Sequence, residues 1–390
     1  MAAAPSIVER ELPDDDAREL LDLVIEIADA ELAPRAAAAE AAGEFPRELF
    51  RTLGQVGLLG LPYAERDGGS GAPYVVYLQV LEELARRWAT VALGISVHTL
   101  ACHPLATAGT EAQRERWLPD LLAGDLLGAY CLSEAQSGSD AAALQTRAVL
   151  DGDVYVVDGT KAWTTHGDVA DFYSLMVRTS DDGPRGITCL LAPSDTDGLV
   201  AGPREHKMGF GASPTTPIIL DGARIDADRR IGDEGAGFGI ALAALDAGRL
   251  GIAAVAVGLA QSALDESIAW TRERVQFGRT IGEFEGIRFL VADLATQVAA
   301  ARELYLAAAR RRDAGRPFST HAAMAKLFAT DTAMRVTTEA VQILGGYGFV
   351  QDYPAERYFR EAKALQIVEG TNQIQRLVIG RSLTRPPADA

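Results

Sequence analysis

Two kinds of hydrophobic spacing alternate along the chain. From residue 14, apolar side chains recur every three or four positions, the period of an amphipathic helix. Asp14–Glu31 places Leu20, Leu21, Val24, Ile25 and Ala28 on one face. Pro46–Gly57 reads as a shorter helix with Phe50 and Leu53 inward. A Gly-rich loop, Asp67–Ala72, follows, and Tyr74–Ala89 and Glu111–Leu122 read as further helices. Past Ala123 and Gly124 the spacing changes. Short β-prone runs take over: Gly128–Leu132, Thr146–Leu150, Val154–Val157, Lys161–Thr165, Phe172–Val177, Ile187–Leu191 and Thr216–Leu220. Asp-Gly pairs at 151–152 and 158–159 separate neighbouring runs, the signature of tight hairpins. No helical run intervenes, so an antiparallel barrel or sandwich is expected, ending near Asp233. The helical period returns in Gly239–Arg274, then in a helix marked by Ile287, Leu290, Val291, Leu294 and Val298, then in Ser319–Leu344. Helices this long, joined by short loops, predict a four-helix bundle with the last two segments.

The expected architecture is multi-domain α+β. An α-helical domain covers 1–125, a β-domain 126–233 and a helical bundle 234–390. Hydrophobic residues make up 48% of the 390, enough for a large core. The net charge of −17 argues against a nucleic-acid partner, since phosphate binding needs a basic surface. Cys102, Cys131 and Cys189 are far apart and form no CxxC. That spacing suits a reducing compartment and no zinc site. The N-terminal run to Asp16 lacks the pattern of a signal peptide, so a cytoplasmic location is expected. The most apolar stretches, Val91–Thr110 and Gly237–Ala263, are interrupted by His98, His103 and Pro104 and by Asp246 and Arg249. Neither reads as a membrane span.

Three stretches offer chemistry. In Glu361–Arg381, Glu369 follows an apolar run, and Gly370 and Thr371 precede a new helical pattern. Glycine permits a tight turn and threonine is a good N-cap. Glu369 is therefore expected at a helix–turn–helix corner. There it is either an ordinary solvated carboxylate or, if buried, a base of raised pKa. In Tyr130–Asp140, YCLSEAQSGSD, small polar residues crowd the end of a strand. They make either a plain turn or a cradle for a flat heterocycle or a phosphate. In Lys161–Gly167, KAWTTHG, Trp163 is either a core tryptophan or the wall of a planar cofactor. Gly235, Gly237 and Gly239 lack the third glycine position and the βαβ setting of a dinucleotide fingerprint. The chain has no Walker A motif and no HExxH. HTLACH at 98–103 is more readily explained by packing than by a metal.

SEAQSGSD, KAWTTHG, RVQFGR (274–279), QILGGYGF (342–349) and VEGTNQIQR (368–376) stand in the order found in acyl-CoA dehydrogenases. The chain resembles that family from about Glu31 to Arg381. The resemblance implies a helical N-terminal domain, a β-domain and a C-terminal bundle. It implies FAD, an acyl-CoA substrate, an electron-transfer flavoprotein as electron acceptor, and a homo-oligomer, with a tetramer as the family norm. Glu369 matches the catalytic base, which takes the α-proton while the β-hydrogen leaves as hydride. Tyr130, Leu132, Ser133 and Ser139 match the loop touching flavin and substrate. Trp163 and Thr165 match residues packing on the ring. Arg274, Phe277, Gln342, Gly345 and Gly346 match contacts to the FAD of a neighbouring subunit. Thr371 and Gln373 match further FAD contacts. Asp246 and Arg249 match residues meeting the CoA portion, and Gly370 falls among the substrate positions. An Arg within a long helix can equally be paired with a neighbouring acid.

The chain departs from the pattern at four places, five residues in all. Ala135-Gln136 replaces Pro and Gly, His166 replaces Asn, Glu285 replaces Gln, and Gly211 replaces Arg in KMGFGAS (207–213). The position that supplies the base in some branched- and long-chain members is Gly248 here, which leaves the role to Glu369. The competing readings are an oxidase on the same fold and a catalytically silent homologue with a binding role.

Overall fold

The computed structural model describes residues 8–384. Asp14 caps the first helix, accepting from Ala17 N at 2.8 Å. This helix, α1 (Asp15–Ile27), leads through a π-helical turn into α2 (Ala33–Ala42), and α3 is Arg47–Gln55. Next come α4 (Tyr74–Ala108) and α5 (Glu111–Leu122). Trp88 breaks α4, with φ −155° and ψ 99°. Tyr77 and Thr99 would lie about 33 Å apart on a straight helix. Instead the Tyr77 hydroxyl donates to Thr99 Oγ1 at 3.0 Å, so the chain folds back at Trp88. The first half of α4 matches the expected Tyr74–Ala89. The second half was not foreseen as a helix, because its unbroken apolar run has no polar face to mark a helical period.

The sheet has eight strands: β1 (Gly128–Cys131), β2 (Arg147–Asp151), β3 (Val154–Thr165), β4 (Phe172–Arg178), β5 (Ile187–Pro193), β6 (Leu199–Ala201), β7 (Thr215–Asp226) and β8 (Arg230–Ile231). Their order is β6-β7-β3-β2-β4-β5-β8, with β1 beside β4. Two expectations change here. Asp158 and Gly159 form no turn; Val154–Thr165 is a single strand, and the pair sits in a bulge against β7. A β-carbon on Gly159 would fall 2.7 Å from Thr146 Cα, so the glycine serves close approach and not chain reversal. The sheet is also not wholly antiparallel, since β1 runs parallel to β4 from Gly128↔Phe172 to Cys131↔Leu175. The β2–β3 hairpin lies in the crossover between them, long enough to permit a parallel pair.

The C-terminal helices are α6 (Gly237–Glu273), α7 (Glu285–Asp313), α8 (Ser319–Leu344), the short α9 (Gly346–Phe349), α10 (Ala355–Leu365) and α11 (Asn372–Thr384). A small hairpin of β9 (Val275–Gln276) and β10 (Arg279–Thr280) joins α6 to α7. The fold is thus helical, β and helical in order along the chain. One apolar core runs from Leu21 through α4 and α6 to Leu365, so the two helical regions share an interior. Both α4 and α6 are long and apolar enough to cross a membrane, yet both are mostly buried in this core. A buried ionic cluster ties them to α7: Glu82 accepts from Arg302 at 2.8 Å and from the Tyr305 hydroxyl, and Arg302 also donates to Gln261 at 3.0 Å.

Candidate active site

The turn between α10 and α11 is built from two residues with left-handed backbone, Glu369 at φ 54° and Gly370 at φ 89°. For glutamate this conformation is strained and must be imposed by its surroundings. Two side chains impose it. Lys326, fully buried on α8, donates to the Gly370 carbonyl at 3.0 Å and to Asn372 Oδ1 at 2.9 Å. Gln375 donates to the same carbonyl at 2.8 Å. Thr371 caps α11, its hydroxyl accepting from Ile374 N at 3.3 Å. Among the described residues, Glu369 N–H has no acceptor.

The Glu369 carboxylate points inward. Oε2 is buried and unpaired. A β-carbon built on Gly248 of α6 would fall 3.1 Å from it. Burial pushes this carboxyl up to about 7, against the pull of Arg249 and Lys326. Burial pushes the Lys326 ammonium down to about 7, while Glu369 and Asp331 support its charge. The surface-carboxylate reading of Glu369 is therefore replaced by an enclosed group that titrates near neutrality.

Two loops of the β-domain face this region. Tyr130 on β1 is a charge neighbour of Glu369; burial first, then Cys189 and Glu369, push its phenol well above its ordinary value. Leu132 is buried in the next loop, Ser133 is half-buried and Ser139 is exposed. Glu134, which nothing in the sequence singled out, anchors that loop. It accepts from Lys161 Nζ at 2.7 Å, from Gln145 N at 2.7 Å and from Thr146 N at 2.9 Å. Burial opposes its charge, but Lys161 and these donors hold its carboxyl at about 2. Gln136, at the departing position, donates to Glu134 at 2.6 Å and so reinforces the loop.

Trp163 stands in a second bulge of β3, at φ 55°, with 55% of its surface exposed. It is not a core tryptophan. Thr165 is half-buried beside it. His166 is buried, with Nδ1 3.1 Å from the Gly128 carbonyl, and burial lowers its pKa to about 3. It is a neutral packing residue against Phe45 and Phe50. His98 is likewise structural: it bridges the Leu121 carbonyl and Gly128 N, each at 2.9 Å.

Other candidates lie elsewhere. Asp246 and Arg249 pair with each other on α6, and Ser319 donates to Asp246 at 2.9 Å. Arg249 is buried and acts on Glu369 through its charge. Arg274, Gly345 and Gly346 line a recess of about 490 Å³ at the far end of α6. That end is about 39 Å along the helix from Gly248, at 1.5 Å per residue. Phe277 is 93% exposed on the β9–β10 hairpin, and Gln342, Gln373 and Glu285 are exposed. The structure therefore does not bring the Arg274 group to Glu369 within one subunit. At Gly211 a β-carbon would lie 2.4 Å from the Glu40 carbonyl, so α2 occupies the space an arginine would need.

Three family profiles match the chain in order. They are the acyl-CoA dehydrogenase N-terminal domain over residues 14–125, the middle domain over 129–223 and the C-terminal domain over 235–384. The chain belongs to the acyl-CoA dehydrogenase family, oxidoreductases acting on acyl-CoA. It is 42% identical to an acyl-CoA dehydrogenase of Bacillus subtilis over 363 residues, 93% of this chain and 96% of that one. The fold is similar to butyryl-CoA dehydrogenase from Megasphaera elsdenii, with TM-score 0.94, 39% identity, and 97% and 100% of the two chains covered. It is equally similar, at TM-score 0.94, 40% identity and 97% and 100% coverage, to a chain solved in a study of the electron transferring flavoprotein of Acidaminococcus fermentans.

Proposed function

We propose that the chain is an FAD-dependent dehydrogenase that converts an acyl-CoA thioester to the trans-2-enoyl-CoA, with Glu369 as the base. The observation that carries this reading is the buried, unpaired Glu369 Oε2, in a carboxyl held near 7. A carboxylate in that state can take a proton from a weak carbon acid without water competing for it. Arg249 and Lys326 keep its ionised form within reach at neutral pH. The unpaired Glu369 N–H can donate to the thioester carbonyl, where charge develops as the α-proton leaves.

The residues present fit FAD. Trp163 offers an exposed aromatic face on a bulge, next to the Thr165 hydroxyl, and the loop braced by Glu134 carries Ser133 beside buried Leu132. Tyr130, Leu132, Ser133, Trp163 and Thr165 would hold the flavin, with Thr371 and Gln373 on the α11 side. Bound there, FAD would supply the acceptor for the β-hydrogen. The recess at Arg274, Gly345 and Gly346 lies too far along α6 to serve the same flavin. Its assignment to the FAD of a neighbouring subunit accords with a homotetramer. An electron-transfer flavoprotein is the proposed acceptor. Three buried free cysteines accord with the cytoplasm.

Anaerobic addition of acyl-CoA to the yellow protein should bleach the flavin, and Glu369→Gln should slow bleaching by about 10²–10⁴-fold while retaining FAD. A protein that stays colourless with added FAD would show the silent homologue. Oxygen consumption without reduction of an electron-transfer flavoprotein would show the oxidase.

A further inference from the structure

The inward side of Glu369 ends in a plug. Gly248 and Leu100, whose surfaces meet at the carboxylate, also line a recess. Beyond them stand Tyr63, Tyr74, Tyr77 and Thr99, and the free space left is about 20 Å³. That is room for roughly one water, or about one carbon group. All four plug residues are buried.

The plug is braced against yielding. The Tyr63 hydroxyl donates to the Thr99 carbonyl, Tyr77 donates to Thr99 Oγ1 at 3.0 Å, and Tyr74 donates to the Ala247 carbonyl at 3.2 Å. Each phenol is thus tied to helix backbone or to a neighbouring hydroxyl, and a swing outward would strand it unbonded in the interior. From behind, the Arg312 guanidinium lies 3.7 Å from the Tyr74 ring centre. Asp313 caps the start of α4, accepting from Tyr74 N at 2.8 Å and Val75 N at 3.1 Å. The end of α7 therefore pins the tyrosines in place.

We infer that Tyr63, Tyr74 and Tyr77 set the acyl length and restrict the enzyme to short-chain acyl-CoA. This rests on the function proposed above, which puts the α-carbon at Glu369. CoA is large and charged and must remain toward solvent, so the acyl tail extends inward past Gly248 and Leu100. After the β-carbon it has room for about one carbon before the tyrosines stop it. A longer chain would have to displace a close-packed, hydrogen-bonded cluster.

The test is a chain-length series of acyl-CoAs, scored by anaerobic flavin bleaching of the FAD-loaded protein. Butyryl-CoA should bleach it, and octanoyl-CoA should react at least about tenfold more slowly in kcat/KM. Octanoyl- or palmitoyl-CoA reacting as fast as butyryl-CoA would overturn the length limit while leaving the dehydrogenase reading intact. Bleaching by no acyl-CoA would sink both. Tyr77→Ala should raise the rate with octanoyl-CoA relative to butyryl-CoA. Tyr77→Leu gives the same comparison with less loss of packing, should the alanine variant not fold. A folded Tyr77 variant with the wild-type length profile would remove Tyr77 from the plug.

Discussion

Gly248 and Glu369 are in such close contact that a single methyl group cannot be placed between them without displacement. The β-carbon of an alanine at 248 would lie 3.1 Å from Glu369 Oε2 and 3.2 Å from Leu100 Cδ1. Gly248→Ala should therefore move the carboxylate, and a shift of a few tenths of an ångström at a base is felt in the rate. Alanine is the better helix former by about 0.5–1 kcal/mol, so the helix itself has nothing to lose. The expected result is a kcat/KM lower by about tenfold or more, with an unfolding temperature equal to or above wild type. A variant with full activity would mean the carboxylate has slack that the contact distances deny it.

Glu369→Gln separates chemistry from folding. The amide is nearly isosteric but cannot accept a proton, so the rate of flavin bleaching should fall by about 10²–10⁴-fold at unchanged FAD content. Stability should respond to pH in a stated direction. The folded carboxyl titrates near 7 against an ordinary 4.5. The fold therefore favours the protonated acid, and the wild type loses stability as pH rises from 4.5 through 7. The variant carries no such burden. Its advantage in unfolding temperature should be larger at pH 8 than at pH 5, and an advantage independent of pH would contradict the burial of this charge.

Trp163 is 55% exposed and sits in the left-handed region, so it contributes little to the core. Trp163→Ala should change stability by only about 0.5 kcal/mol. If the indole is a wall for the flavin, the same change should weaken FAD binding by up to about tenfold, the scale of an aromatic contact. Equilibrium dialysis of the stripped protein against FAD measures this. Unchanged affinity would return Trp163 to the role of an exposed side chain.

The fold order was legible because hydrophobic period changes twice along the chain, near Gly124 and near Gly237. What escaped was local. The Asp158-Gly159 pair carries a hairpin signature yet sits in a bulge, because the space beside Thr146 selects glycine there as strongly as a turn does. The second half of α4 is apolar on every side and so has no period to detect. At the site, the separated motifs pointed to Glu369 and Trp163, and both prove to be left-handed non-glycine residues, as does Phe277. Strain of this kind is invisible in sequence. Glu134 and Lys326 were missed for a different reason. A lysine in Ser319–Leu344 looks like a solvated helix residue, and only the packing of α8 against the Glu369 turn shows that it is fully buried.

Lys326 is also the residue on which the working pH of the site depends. It touches the base only through the backbone, at the Gly370 carbonyl, and through Asn372. The charged groups facing it are Glu369, Asp331 and Arg249, and those facing Glu369 are Arg249 and Lys326. Lys326→Met keeps the stem and removes the charge. Neither acceptor is stranded: Gly370 O retains Gln375 at 2.8 Å, and Asn372 Oδ1 retains Thr330 at 3.1 Å. Deleting a buried ammonium whose pKa is already pushed down to about 7 should cost the fold little. Glu369 would lose one of the two cations that favour its ionised form, and its pKa should rise. The limb of kcat/KM that climbs through about 7 in the wild type should move to higher pH in the variant, with Arg249 limiting the shift. At pH 7 the rate should be lower by about threefold to tenfold, and much of the loss should return at pH 9. A residue that merely props the turn would lower stability and rate at every pH and leave the limb where it was. The pH profile therefore distinguishes a tuning lysine from a structural one.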